Sequence, residues 1–253
     1  MKTIDLNCDM GESFGRYTLG MDEDLMPFLS SVNLACGFHA GDPVVIQKTV
    51  EKAVKHHLAI GAHPGYPDLQ GFGRRKMEMA PEEVEAMVLY QIGALWSFVR
   101  ASGAEMTHVK PHGALYNQAA EDAQVAKAIV LAVRRFSREL IIVGLAGSVL
   151  VTMGLEYGMK TANEGFIERG YLQDGRLMPR GWAGSIIHDP LKAAQQAVCL
   201  ASEGIAIQSE NSNTTLKVDT LCIHGDSPSA KEIVWRVRLA LEEAGFFIKS
   251  LAG

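Results

Sequence analysis

Cysteine is scarce: only Cys8, Cys36, Cys199 and Cys222 occur in 253 residues, and no two form a C-x-x-C pair. So scattered a set excludes a disulfide scaffold and a thiolate zinc knuckle, and suits reduced thiols packed as small core residues. Membrane-length apolar runs are missing as well. The uncharged stretch Leu140 to Leu155 falls short of the roughly 18–20 residues a span needs and is broken by Gly144, Gly147 and Ser148. No basic, apolar leader accompanies Asp5, Asp9 and Glu12, so a cytoplasmic protein without membrane contact is expected. Positive charge is in deficit, with 24 Lys+Arg against 29 Asp+Glu and a net charge of −5. That balance argues against a nucleic-acid partner, whose phosphates would demand a basic face.

What is present is an alternation of short apolar runs with helical stretches. The strand candidates are Thr3 to Cys8, Ser31 to Cys36, Ala59 to Ala62, Met106 to Lys110, Leu140 to Leu145, Lys160 to Asn163 and Val218 to Ile223. Helix starts are marked by a capping residue before proline at Asp42-Pro43, Asp189-Pro190 and Ser227-Pro228, and by Pro81 followed by Glu82 and Glu83. Gly103 and Gly245 stand where helices should stop. Repeated strand–helix units, with no linker-like composition shift, predict one α/β domain over residues 1–253 with a parallel sheet buried on both faces. A hairpin is expected as an insert near 204–217, around Glu210-Asn211-Ser212-Asn213. Polar residues at nearly every strand end favour a β/α barrel over a doubly wound sheet, which concentrates its ligand groups at one switch point.

The chemistry follows from the period of two. Asp5, Asn7 and Asp9 share one face of the first strand, and His108, Lys110 and His112 share one face of the fourth. Further carboxyl-end residues are Asn33 and His39 after the second strand, His63 after the third, Glu164 after the sixth, and His224 with Asp226 after the seventh. Several strands delivering such side chains to one end of a barrel point to an active site there. Arg169 and Arg180 are candidates for a bidentate grip on a carboxylate or phosphate. Asp9, His39, His63 and His112 are metal-ligand types, but no local spacing such as H-E-x-x-H accompanies them, so a tightly bound metal is not expected.

Longer strings carry a resemblance. Asp5-Leu6-Asn7-Cys8-Asp9-Met10-Gly11-Glu12-Ser13-Phe14-Gly15, Asn33-Leu34-Ala35-Cys36-Gly37-Phe38-His39-Ala40-Gly41-Asp42-Pro43 and Gly61-Ala62-His63-Pro64-Gly65-Tyr66-Pro67-Asp68 resemble the LamB/YcsF family. So do Gly71-Phe72-Gly73-Arg74-Arg75, Val109-Lys110-Pro111-His112-Gly113-Ala114-Leu115-Tyr116-Asn117, Glu164-Gly165-Phe166-Ile167-Glu168-Arg169-Gly170-Tyr171 and Cys222-Ile223-His224-Gly225-Asp226. The resemblance spans essentially the whole chain. It implies a seven-stranded β/α barrel like those of glycoside hydrolases and polysaccharide deacetylases. It also implies ATP-dependent opening of the 5-oxoproline (pyroglutamate) lactam to L-glutamate, with ATP bound together with Mg2+ and with two partner subunits, B and C.

On that implied reaction, Asp9, His63, Lys110 and His112 are the expected catalytic residues. Lys110 would neutralise the activated oxygen or phosphate, His63 and His112 would serve as acid and base, and Asp9 would orient water. Asn7, Asn33, His39, Glu164, Arg169, Arg180, His224 and Asp226 would bind substrate, with Arg169 or Arg180 holding its carboxylate. Two other readings stay open: a metal-dependent deacetylase or amidohydrolase on the same barrel acting without ATP, and a subunit that binds substrate while partners do the chemistry.

Overall fold

The computed structural model describes residues 2–204, 206, 215–225 and 229–253. Seven parallel strands, β1 (Lys2–Met10), β2 (Ser31–Ala35), β3 (Ala59–His63), β4 (Met106–Val109), β5 (Ile141–Leu145), β6 (Lys160–Phe166) and β7 (Thr220–Ile223), pair in sequence order. Because β1 pairs with both β7 and β2, the sheet closes into a barrel. A further short strand, β8 (Phe246–Ile248), runs parallel to the first residues of β1, below the point where β7 takes over that edge.

The barrel is wrapped by α1 (Asp22–Leu25), α2 (Pro43–Lys55), α3 (Pro81–Ala101), α4 (Gly113–Ala119), α5 (Ala123–Phe136), α6 (Val149–Glu156), α7 (Pro190–Glu203) and α8 (Ala230–Glu243). Their starts follow from local chemistry. Asp42, Asp122 and Asp189 each accept two backbone N–H bonds of the first turn, and Pro43 and Pro190 occupy positions whose N–H would be unsatisfied anyway. Gly103 and Gly245 follow α3 and α8 with positive φ, as helix stops require.

The apolar core lies outside the barrel, between strands and helices. Ile4, Leu6, Cys8 and Met10 on β1 are all buried, as are Val32, Leu34, Ile60, Ala62, Val109, Leu221 and Ile223 on its neighbours. Each fully buried Leu, Ile or Val contributes roughly 1.5–3 kcal/mol relative to exposure, so this shell carries the stability of the fold. The barrel interior is different. Asp5, Asn7, Ser31, Asn33, His108, Glu164 and Thr220 are buried polar residues, and their hydrogen bonds run across the barrel. Parallel pairing sets Asp9 beside Asn33, Asn33 beside Gly61, and Gly61 beside His108. Gly61 is required there, because a Cβ at that position would lie 2.2 Å from the His108 ring.

Four local expectations change. β6 continues three residues past Asn163, so Glu164 sits inside the strand; its buried neighbours supply hydrogen bonds that a polar residue does not advertise in sequence. Asn33 lies inside β2, as the candidate strand Ser31 to Cys36 has it and not at the carboxyl end where it was grouped with His39, and its amide is taken up by the polar barrel interior. β8 was not anticipated, since three residues give too short a pattern for the period of two. The fourth strand stops at Val109, although the Lys110 N–H still donates to the Ala62 carbonyl. The hairpin expected near 204–217 falls largely on residues 205 and 207–214, outside the described residues, as do Ser227 and Pro228.

Candidate active site

The barrel interior is built in layers. Lowest is Asp5, whose carboxylate accepts hydrogen bonds from the Ser30, Ser31 and Thr220 hydroxyls. Burial raises its pKa even though these bonds oppose the shift. Above it, the Asn33 amide donates to Asn7 Oδ1 at 2.7 Å and to Asp9 Oδ1 at 2.9 Å, while His108 Nε2 donates to Asn33 Oδ1 at 2.8 Å. Burial, reinforced by the Lys110 charge, pushes His108 down to about 3, so the ring is neutral and structural.

The next layer is ionic. Lys110 Nζ lies 2.9 Å from Asp9 Oδ1 and 2.7 Å from Glu164 Oε1, with Asn7 Oδ1 at 3.4 Å and Cys222 Sγ at 3.2 Å. An ammonium has three N–H bonds, so Lys110 is saturated and must release a partner before it can touch anything else. Burial alone would lower its pKa, but Asp9 and Glu164 outweigh that and hold it well above the ordinary value. Burial would raise Asp9, yet His63 and Lys110 hold its carboxyl well below the usual range. Glu164 is fully buried and also accepts from the Asn7 amide at 3.1 Å and the Tyr116 hydroxyl at 2.7 Å.

Three imidazoles stand beside Asp9. His63 Nε2 is 3.2 Å from Asp9 Oδ2 and 2.9 Å from His112 Nδ1. His63 Nδ1 donates to the Lys110 carbonyl at 2.7 Å, and His112 Nε2 donates to the Phe72 carbonyl at 2.8 Å. His39 stacks face to face on His112, with ring centroids 3.7 Å apart. Burial, then the neighbouring rings, depress His112 to about 3 and His39 well below its ordinary value.

Over this floor opens a cavity of about 300 Å³. Its lining includes Asp9, Glu12, His63, Lys110, His112, Tyr116 and His224, an apolar wall of Leu145, Phe166, Leu177 and Pro179, and the cationic side chains Arg74, Arg169, Arg176 and Arg180. His224 is seated by Glu168, which accepts its backbone N–H at 2.8 Å, and by the Phe166 ring stacked against it. The volume suits one small polar molecule, and the arginines suit an anionic group on it.

The residues singled out in sequence therefore divide. Asp9, His63, Lys110, His112, Arg169, Arg180 and His224 line the cavity. Asn7, Asn33 and Glu164 lie beneath its floor and His39 behind His112, so they hold lining residues in place instead of meeting a ligand. Arg169 spends Nε on the Ser185 carbonyl and Nη2 on the Met178 carbonyl, tying down the segment that roofs the cavity, with only part of its guanidinium left for a ligand. Asp226 lies outside the described residues. Glu12, Arg74, Tyr116 and Arg176 were not singled out. Glu12 and Arg74 sit in glycine-punctuated loops and Tyr116 on α4, positions whose direction only the folded chain reveals.

Comparison with known proteins places this geometry. The family model described as the LamB/YcsF family matches residues 4–253. A protein of Heliobacterium modesticaldum, named as the A subunit of 5-oxoprolinase, is 50% identical over 247 residues, 98% of this chain and 97% of that one. One of the same name from Pyrococcus furiosus is 49% identical over 243 residues, 96% of this chain and 95% of its own. The crystal structure of a lactam utilization protein from Thermus thermophilus superposes with a TM-score of 0.94 at 47% identity, over 98% of this chain and all of that one.

Proposed function

The chain belongs to the LamB/YcsF family, and on that premise we propose that it is the A subunit of a 5-oxoprolinase, opening the lactam of 5-oxo-L-proline to L-glutamate with ATP and Mg2+ beside subunits B and C. Full-length identity near 50% to proteins named as the A subunit of 5-oxoprolinase supports that role. The observation that carries the chemistry is the Asp9–His63–His112 chain on the floor of a small cavity whose mouth is lined by arginines.

A five-membered lactam is a resonance-stabilised amide, so water attacks its carbonyl carbon only when the oxygen is activated. ATP supplies that activation by transferring its γ-phosphoryl group to the oxygen, with ADP as the leaving group. Water then adds to the carbon, the C–N bond breaks as the nitrogen takes a proton, and a second water hydrolyses the resulting acyl phosphate to glutamate and phosphate. Asp9, His63 and His112 form the water-activating element, because their acceptor atoms converge at the cavity floor. Lys110 fixes Asp9 and Glu164 and neutralises charge that develops above them. Arg180, with the remaining donor of Arg169, faces the substrate carboxylate.

The test is glutamate release from 5-oxoproline and ATP·Mg by the chain combined with its B and C subunits. Asp9→Asn and His112→Ala should each lower turnover by about 100-fold or more, the usual contribution of a positioned acid–base group. Turnover within twofold of wild type in both variants would remove the assignment.

A further inference from the structure

Hydrogen-bond bookkeeping at the cavity floor leaves two lone pairs facing each other. His63 spends its Nδ1 proton on the Lys110 carbonyl, and His112 spends its Nε2 proton on the Phe72 carbonyl. In neutral rings the other two nitrogens, His63 Nε2 and His112 Nδ1, carry no hydrogen, yet they stand 2.9 Å apart. Two lone pairs at that separation repel unless something positive lies with them.

The surroundings point to more than a proton. Carboxylates flank both nitrogens, Asp9 Oδ2 at 3.2 Å from His63 Nε2 and Glu12 Oε1 at 3.5 Å from His112 Nδ1. Around a tetrahedral zinc ion bound at about 2.0–2.1 Å, ligand atoms are separated by about 3.3–3.4 Å; the three neighbouring pairs here stand 2.9, 3.2 and 3.5 Å apart, and Glu12 and His63 within 4.8 Å. The bonds from the far side of each ring to a backbone carbonyl are the pattern that orients ligating histidines. Phe72 presents its carbonyl from a left-handed conformation, φ 54°, which an aromatic residue adopts only when the surroundings enforce it. His39 is fully buried with neither ring nitrogen hydrogen-bonded, and its Nε2 lies 3.4 Å from Glu12 Oε1. Its ring is parallel to that of His112, only 3° from coplanar orientation, so the in-plane lone pairs of the two cannot converge on one ion. His39 instead backs the His112 ring toward the cavity.

We propose that His63 Nε2, His112 Nδ1 and the Glu12 carboxylate, whose ligand atoms all lie within 4.8 Å of one another, bind one divalent transition-metal ion of the zinc class on the cavity floor, with Asp9 Oδ2 beside His63 completing the shell. Two imidazoles with two carboxylates select such an ion over Mg2+ or Ca2+, which prefer oxygen-only shells. The proposal reverses the expectation of no tightly bound metal. That expectation rested on the missing local spacing, and here the ligands come from β1, the loop after it, β3 and the segment after β4. It rests on this geometry and not on the lactam reading, so binding can be read without substrate.

The test uses the full chain, stripped of metal with a chelator, titrated calorimetrically with Zn2+ and separately with Co2+ under visible absorption. One saturable equivalent per chain is expected, with the d–d bands of four- or five-coordinate Co2+ bleached by Zn2+. His63→Ala and His112→Ala should each weaken binding by about 100-fold or more, while His57→Ala, in the exposed turn after α2, should bind as wild type. If either ring variant fails to fold, Glu12→Gln, which keeps the side-chain shape, should still shift the Co2+ bands. Wild-type chain that gives no saturable equivalent, or ring variants that bind as tightly as wild type, would overturn the site. Loss of 5-oxoprolinase activity in the wild type would not.

Discussion

Lys110→Met removes the ammonium and keeps most of the stem. It leaves Asp9 Oδ1 and Glu164 Oε1, which stand 2.9 and 2.7 Å from Nζ, without their cation, in a layer where Lys110 is 2% and Glu164 0% exposed. Removing one partner of a buried ion pair costs about 3–5 kcal/mol, because the remaining charge is stranded in a medium that cannot solvate it. With urea slopes of about 1–3 kcal/mol per molar, the midpoint should fall by about 1–5 M. The pH dependence gives a sharper check. Asp9 is held below its usual range in the wild type, so the stability it contributes is present above the unfolded-state carboxyl value of about 4 and is lost as pH falls through the folded value. In the variant the Lys110 share of that contribution is gone while the His63 share stays, so the gap to wild type should be full at pH 7 and narrow as pH drops below about 4. The raised Lys110 value contributes stability that is full below about 10.4 and is lost only as pH rises through the folded value, so the gap should not narrow between pH 7 and 9. Adding Glu164→Gln to Lys110→Met should recover part of the loss, since one stranded charge is removed. A loss under about 1 kcal/mol at pH 7, or a gap unchanged down to pH 3, would refute the account of this layer.

Gly61→Ala would place a methyl 2.2 Å from the His108 ring, and overpacking of a filled interior costs about 1–3 kcal/mol; a melting curve indistinguishable from wild type would show that the ring moves freely. Tyr116→Phe deletes the hydroxyl that donates to Glu164 Oε2 at 2.7 Å and should cost about 1–3 kcal/mol in urea unfolding, because a buried charged acceptor loses a donor; no measurable change would mean that Lys110 and Asn7 alone satisfy Glu164.

Seven strand segments were readable as short apolar runs between helical stretches: β1 alternates, as Ile4, Leu6 and Cys8 illustrate, while Ile141, Ile142 and Val143 on β5 form a continuous run. Helix starts were readable because Asp42 and Asp189 state their capping role together with the following proline. What the sequence did not disclose is the sorting of inward polar residues by height. Asn7, Asp9 and Asn33 look alike as alternating polar positions, yet Asp9 reaches the cavity and the two asparagines stay beneath it. Between Asn7 and Asp9 the difference is two positions along β1, whereas Asn33, paired beside Asp9, is placed by strand stagger around the closed barrel.

The same stagger accounts for the polar interior. A β/α barrel usually fills its centre with branched apolar side chains, and such a centre would be easier to stabilise. Here every polar group placed inside needs a partner from another strand: Asn7 from β1 bonds Thr220 on β7 and Glu164 on β6, and Asn33 on β2 accepts from His108 on β4. Each of these links holds a cavity-lining residue through one intermediate, since Glu164 fixes Lys110 and Asn33 fixes Asp9. A layered network of this kind resists the rotation of any one side chain, because a single turn would break bonds in two layers. Precise placement of Asp9, His63 and His112 is what either water activation or metal binding demands, and an apolar interior could not supply it.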